Sequence, residues 1–139
     1  MQAFGTWKGG YRTDLEDGRT HSVVVDLPRD EGGESSGPTA LDLAVLALAG
    51  DITSIFAIVA RRRRLEFQGM SVALQAERPK GSPTITRVRG TLRVRTRADV
   101  AEVETSLRQT IRTCPVGVLF EQARVPIEIA AIVEAPARP

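Results

Sequence analysis

Two side chains in this sequence have chemistry to spare beyond folding. Asp51 stands inside the longest apolar run of the chain, Leu41 to Ala60. A carboxylate there is costly unless it is paired, hydrogen-bonded or protonated. Cys114, the only cysteine, sits in Arg112-Thr113-Cys114-Pro115-Val116. Asp51 reads either as an acid facing a pocket, paired with Arg19, His21 or an arginine of a second copy, or as a structural carboxyl bonded to backbone or to a buried cation. Cys114 reads either as a reactive thiol, whose pKa the start of a helix would lower, or as a small buried residue kept for packing. His21, the only histidine, is a strand residue near a sheet edge or a pocket-lining partner of Asp51. Phe56 and Phe120 are core or pocket wall.

Composition narrows the classes. The chain has 139 residues, 42% of them hydrophobic but only 4% aromatic, which suits one domain with an aliphatic core. The net charge is +2 with a pI near 9.2. Acids nearly balance the arginines and stacking aromatics are scarce, so no nucleic-acid partner is expected. One cysteine excludes an intrachain disulfide, and one cysteine with one histidine leaves no metal site and no cofactor to assign. The first residues lack the apolar segment of a secretory signal, so a cytoplasmic location is expected. Leu41–Ala60 is long enough to span a bilayer and Arg61–Arg64 follow it. However, a central Asp costs about 2.5–3.5 kcal/mol on insertion, and the run reads instead as a buried helix with no membrane role.

The elements that must position these residues follow an α+β order, ββ–α–ββ–α–α–β. Ala3–Thr13 and Thr20–Leu27 read as a hairpin with its turn at Asp17-Gly18. Residues 28–37 form a loop by composition. Thr39 and Asp42 suit the start of a helix from Ala40 to Arg63, apolar nearly all round and therefore buried. The terminal arginines suit its dipole. Leu65–Lys80 and Thr84–Thr96 make a second hairpin, its second arm alternating as a strand with one wet face. Asp99 opens an amphipathic helix with Val100, Val103, Leu107 and Ile111 on one side. Pro115 suits the first turn of a short helix ending at Gln122. Val125–Val133 is a last strand, and the tail from Glu134 should be loose.

In that order and spacing the chain resembles the OsmC/Ohr family of osmotically inducible and organic-hydroperoxide-resistance proteins. The resemblance is carried by Trp7-Lys8-Gly9-Gly10, by His21 with Asp26-Leu27-Pro28, by Gly32-Gly33 leading to Gly37-Pro38-Thr39-Ala40-Leu41-Asp42-Leu43, by Ala47-Leu48-Ala49-Gly50, and by Thr113-Cys114-Pro115-Val116. It implies an OsmC-like fold over the whole chain, with antiparallel sheet wrapped around a long buried central helix in an intertwined homodimer whose sites lie at the subunit interface. It also implies thiol chemistry. In peroxidase members a first cysteine on the central helix attacks a lipophilic hydroperoxide. A second cysteine then resolves the sulfenic acid as a disulfide, and an Arg and a Glu activate the first thiolate.

The sequence departs from that pattern where the chemistry sits. The first cysteine should follow Ala49-Gly50, and Asp51 stands there instead. The activating Glu position is Leu41, and its neighbour Asp42 points roughly opposite to Asp51 at about 100° per residue. Arg19, then Arg12, are the candidates for the active-site arginine. The implied catalytic set is therefore Asp51, Cys114 and Arg19, with His21, Asp51, Phe56 and Phe120 as ligand contacts. The expected function is that of a diverged member without two-cysteine peroxidase activity that binds a small lipophilic molecule or hydroperoxide. The alternatives are a weak one-cysteine peroxidase using Cys114 and a non-catalytic structural or regulatory module.

Overall fold

Gly9 and Gly10 take φ angles of 112° and 53°, open to residues without a Cβ, and the chain reverses there. In the computed structural model, which describes residues 1–137, the expected strand Ala3–Thr13 is consequently two, β1 (Phe4–Gly9) and β2 (Arg12–Glu16). The next expected strand shortens to β3 (Ser22–Val25). The expected ββ opening is thus corrected to βββ. The three strands form one antiparallel sheet in the order β1-β2-β3. Arg138 and Pro139, the end of the tail expected to be loose, lie outside the described residues.

This sheet belongs to the first of two units, Met1–Ala44 and Val45–Pro139. The first unit has few buried apolar residues, and polar bonds organise it. Asp26, only 3% exposed, receives the backbone N–H groups of Leu27 at 2.8 Å, Glu34 at 3.1 Å and Ser36 at 3.0 Å, and the Ser36 hydroxyl at 2.8 Å. The Ser36 amide, foremost among these donors, holds the Asp26 pKa below its ordinary value against the opposing effect of burial. Gly33 and Gly37 permit the loop to close, because a Cβ at either would collide with the backbone carbonyl of Leu27 or Val24. Beyond the loop, Thr39 and Asp42 cap each other: Thr39 N–H donates to Asp42 Oδ2 at 3.0 Å, and Asp42 N–H donates to Thr39 Oγ1 at 3.1 Å. That reciprocal pair starts α1 (Ala40–Arg63).

The helix keeps the bounds its sequence predicts, but its burial is narrower. Leu48, Ile52, Phe56, Val59 and Ala60 form a buried stripe, while Leu46 is 57% exposed and Ile58 36% exposed. Length and apolarity alone would let α1 cross a membrane. Here Phe56 and Ala60 instead join Leu65, Leu92, Val94, Val103 and Leu107 in one core cluster, each aliphatic side chain worth about 1.5–3 kcal/mol when fully buried. Arg64 closes the helix at φ 58°, with Leu65 N–H returning to the Ala60 carbonyl.

The second sheet contains β4 (Phe67–Glu77), β5 (Arg87–Thr96) and β6 (Ile127–Glu134) in that order. β4 and β5 are antiparallel, whereas β5 and β6 are parallel, from Val88 beside Ile127 to Arg95 beside Glu134. The sheet is therefore mixed rather than purely antiparallel. The reason is the connection: α2 (Val100–Thr113) and α3 (Pro115–Gln122) lie between the two strands and supply the crossover that parallel pairing needs. Asp99 caps α2 through the Glu102 N–H at 2.7 Å. Along β5, Val88, Leu92 and Val94 are fully buried, while Arg87, Arg89, Arg93 and Arg95 pair with Glu77, Glu128 and Glu134 on the opposite face.

Candidate functional site

The first turn of α3 leaves backbone N–H groups without partners inside the helix, and two side chains from different elements meet them. Cys114 is the N-cap, its Sγ accepting the Gly117 N–H at 3.3 Å. Pro115 occupies the first helical position, where no N–H is needed. The Val116 N–H then donates to Asp51 Oδ2 at 2.8 Å, and the Cys114 thiol donates to the same oxygen at 2.8 Å. One carboxylate oxygen on α1 thus ties down both the thiol and the helix start.

Cys114 is fully buried. Burial foremost, and next the hydrogen bond to Asp51, push its thiol pKa up to about 11. The Gly117 N–H pulls the other way and loses. Of the two readings of Cys114, the surroundings favour the small buried residue, because desolvation and a facing carboxylate outweigh the amide at the helix start. Asp51 satisfies the sequence requirement for a partner, and takes it from a thiol and a backbone amide rather than from a cation.

The remaining candidates make other contacts. Arg19 and His21 belong to the N-terminal unit, where Asp17 holds both. Asp17 Oδ1 accepts the Arg19 N–H at 2.9 Å, and Asp17 Oδ2 lies 2.8 Å from His21 Nδ1. The His21 contact is the main reason that the Asp17 pKa falls below its ordinary value. His21 does line a cleft, of about 280 Å³, with Asp17, Leu15 and Val23. Arg12 pairs with Asp14. Phe56 takes its core alternative: it is fully buried and meets Phe67 edge-on, ring centres 6.1 Å apart. Phe120 lies half-buried in α3, its carbonyl accepting the Val125 N–H. Among the described residues no group of three or more His, Cys, Asp or Glu side chains could hold a metal ion.

The sequence reading missed the Val116 amide as the second donor to Asp51 and Asp26 as the organiser of its loop. The second was in reach, since an Asp ahead of a Gly- and Ser-rich segment commonly bonds nearby backbone. The first was not, because nothing local links residues this far apart.

The model of the OsmC-like protein family matches residues 32–130, and the chain belongs to that family, which is associated with hydroperoxide resistance and stress response. No curated protein matches the sequence. Solved structures share the fold at low identity. An OsmC-like protein from Mycoplasma pneumoniae superposes with a TM-score of 0.84 at 9% identity, covering 95% of each chain. An organic hydroperoxide resistance protein OsmC from Legionella pneumophila gives 0.77 at 16% identity, covering 95% of this chain and 97% of its own. An organic hydroperoxide resistance protein from Elizabethkingia anophelis, with thiocyanate bound, gives 0.77 at 13% identity, covering 95% and 94%.

Proposed function

We propose that this protein is a cytoplasmic OsmC-family binding protein that does not reduce peroxides through a cysteine pair. It holds a small lipophilic molecule at a site completed when two copies associate. The observation that carries the reading is the Asp51 carboxylate, 2.8 Å from Cys114 Sγ, at the position where the family resemblance expects the attacking thiol. Reduction of a hydroperoxide by a thiol transfers one oxygen to sulfur and releases the alcohol; a second thiol then displaces water to form the disulfide. A carboxylate cannot take that oxygen. Cys114, buried and with its pKa at about 11, makes a poor substitute attacker, which counts against a one-cysteine peroxidase. Association is supported by apolar surface left uncovered in one chain: Leu46 and Ile58 on α1, Phe4 and Trp7 on β1, and Tyr11 in the turn that follows.

The test combines binding with turnover. Lipophilic hydroperoxides and their alcohols should raise the melting temperature by mass action. The same hydroperoxides with added dithiol should be consumed no faster than by dithiol alone. Consumption that Cys114→Ser abolishes would establish the one-cysteine peroxidase instead. No thermal shift across a diverse apolar set would leave the structural or regulatory module. The Asp51→Cys variant places sulfur about where the Asp51 carboxyl carbon stands and should form an intrachain disulfide with Cys114 under hydroperoxide.

A further inference from the structure

Beyond the Asp51–Cys114 contact, the C-terminal unit contains a cleft of about 440 Å³ between the end of α2, α3 and the start of β6, within the range of about 300–1,000 Å³ of small-molecule sites. Its walls are apolar: Ile111, the buried Val125, Pro126 and Ile127. Gly117 forms part of the lining from α3. A Cβ there would stand 3.3 Å from Cys114 Sγ and 3.4 Å from the Ile111 carbonyl oxygen, so glycine at this position lets α3 seat closely on the thiol and the end of α2.

The charged residues lining the cleft are Arg112, Arg124 and Glu121, all exposed. None of the three takes part in an ion pair among the described residues. Arg112 lies in the last turn of α2 and Arg124 just past the end of α3, where each complements a helix carbonyl end. That placement still leaves planar guanidiniums whose several N–H donors match a carboxylate as a two-point fork. Two guanidiniums against one carboxylate favour a single negative charge on the ligand, and the aliphatic walls favour hydrocarbon behind it.

We infer that this cleft binds a medium-chain monocarboxylate, the head held by Arg112 and Arg124 and the tail laid along Ile111, Val125 and Ile127. The site differs from the one proposed around Asp51 in the residues that line it.

The experiment is calorimetric titration of the full chain with decanoate, decanol and decylamine, each below its aggregation concentration, together with amide chemical-shift mapping. Decanoate should bind, with shifts centred on the end of α2, α3 and the start of β6, and decylamine should not bind. The Arg112→Gln/Arg124→Gln double variant should lose at least about tenfold in decanoate affinity, since both charge-assisted bonds go. An Arg61→Gln/Arg62→Gln variant, which removes equal charge elsewhere, should leave affinity unchanged. The inference is overturned by absence of decanoate binding, by equal binding of decylamine, or by an unchanged affinity in the double variant. Shifts centred on α1 around Asp51 would also overturn it and would assign the ligand to the other site.

Discussion

Asp26 in the N-terminal unit and Asp51 in the C-terminal unit both sit among backbone amides, yet they work differently. Asp26 receives three backbone N–H groups and one hydroxyl, all from its own loop, and in return holds a segment with little apolar burial. Asp51 receives one amide and one thiol from the start of a helix far along the chain, inside a unit whose main cohesion is the cluster around Phe56 and Leu92. In the first unit the carboxylate substitutes for a core. In the second the core exists anyway, and the carboxylate adds to burial in keeping a thiol protonated.

The largest expected effect tests that division of labour. Phe56→Ala should destabilise the chain by about 3–5 kcal/mol in chemical denaturation, the usual cost of emptying an aromatic core site. Trp7→Ala, at a residue 71% exposed, should cost far less folding stability and show instead in the oligomeric state. Equal losses from the two substitutions would mean that the first unit has a core comparable with that of the second.

Next comes the thiol. A free cysteine titrates near pH 8.5, and Cys114 near 11. Alkylation of the folded protein at pH 7 should therefore run at least about 100-fold slower than that of a cysteine peptide, because the thiolate is the reacting form. Asp51→Asn should recover less than about tenfold of this, since burial is the larger cause. Complete recovery would make the carboxylate the dominant influence. The raised pKa also has a sign in stability. The folded state holds the proton more tightly, so this contribution is fully present below about pH 8.5 and is lost as pH rises through about 11.

Asp26 predicts the opposite window. Its folded pKa is lowered, so its stabilisation is present above the unfolded value of about 3.9 and is lost as pH falls through the lower folded value. Hydrogen exchange should show the Glu34 and Ser36 amides losing protection in acid before the core strands do. Simultaneous loss would join the two units into one cooperative block.

What the sequence disclosed and withheld divides along similar lines. The bounds of α1, the Asp99 cap and Pro115 at the start of α3 were legible because each is written in adjacent residues: a reciprocal Thr39–Asp42 cap, an acid before an amphipathic run, a proline that tolerates only a first turn. The α+β class and the identity of the family were legible as well. The Gly9-Gly10 dipeptide is a turn signal, but the residues on both sides of it read as strand and mask the reversal. The parallel pairing of β6 and the Val116 bond to Asp51 depend on residues distant in sequence, and no local period reports them. His21 shows the converse: its partner Asp17 is four residues away, so that contact is written in nearby residues.

The smallest effect belongs to the ladder on the outer face of the second sheet. Glu128 lies 3.6 Å from Arg87 and 3.5 Å from Arg89, and Glu134 lies 3.6 Å from Arg93 and 4.0 Å from Arg95. These side chains are about half exposed, so water and salt screen them and holding long side chains costs entropy. Glu134→Gln should change stability by less than about 1 kcal/mol in urea titration at low salt, and the difference should shrink at high salt. Each acid is shared by two arginines, so removing it also leaves like charges on neighbouring positions of β5, which keeps the expected sign destabilising. A loss approaching that of Phe56→Ala, or one insensitive to salt, would show the arginine face to be covered, and cohesion of the second unit would then no longer rest on its apolar cluster.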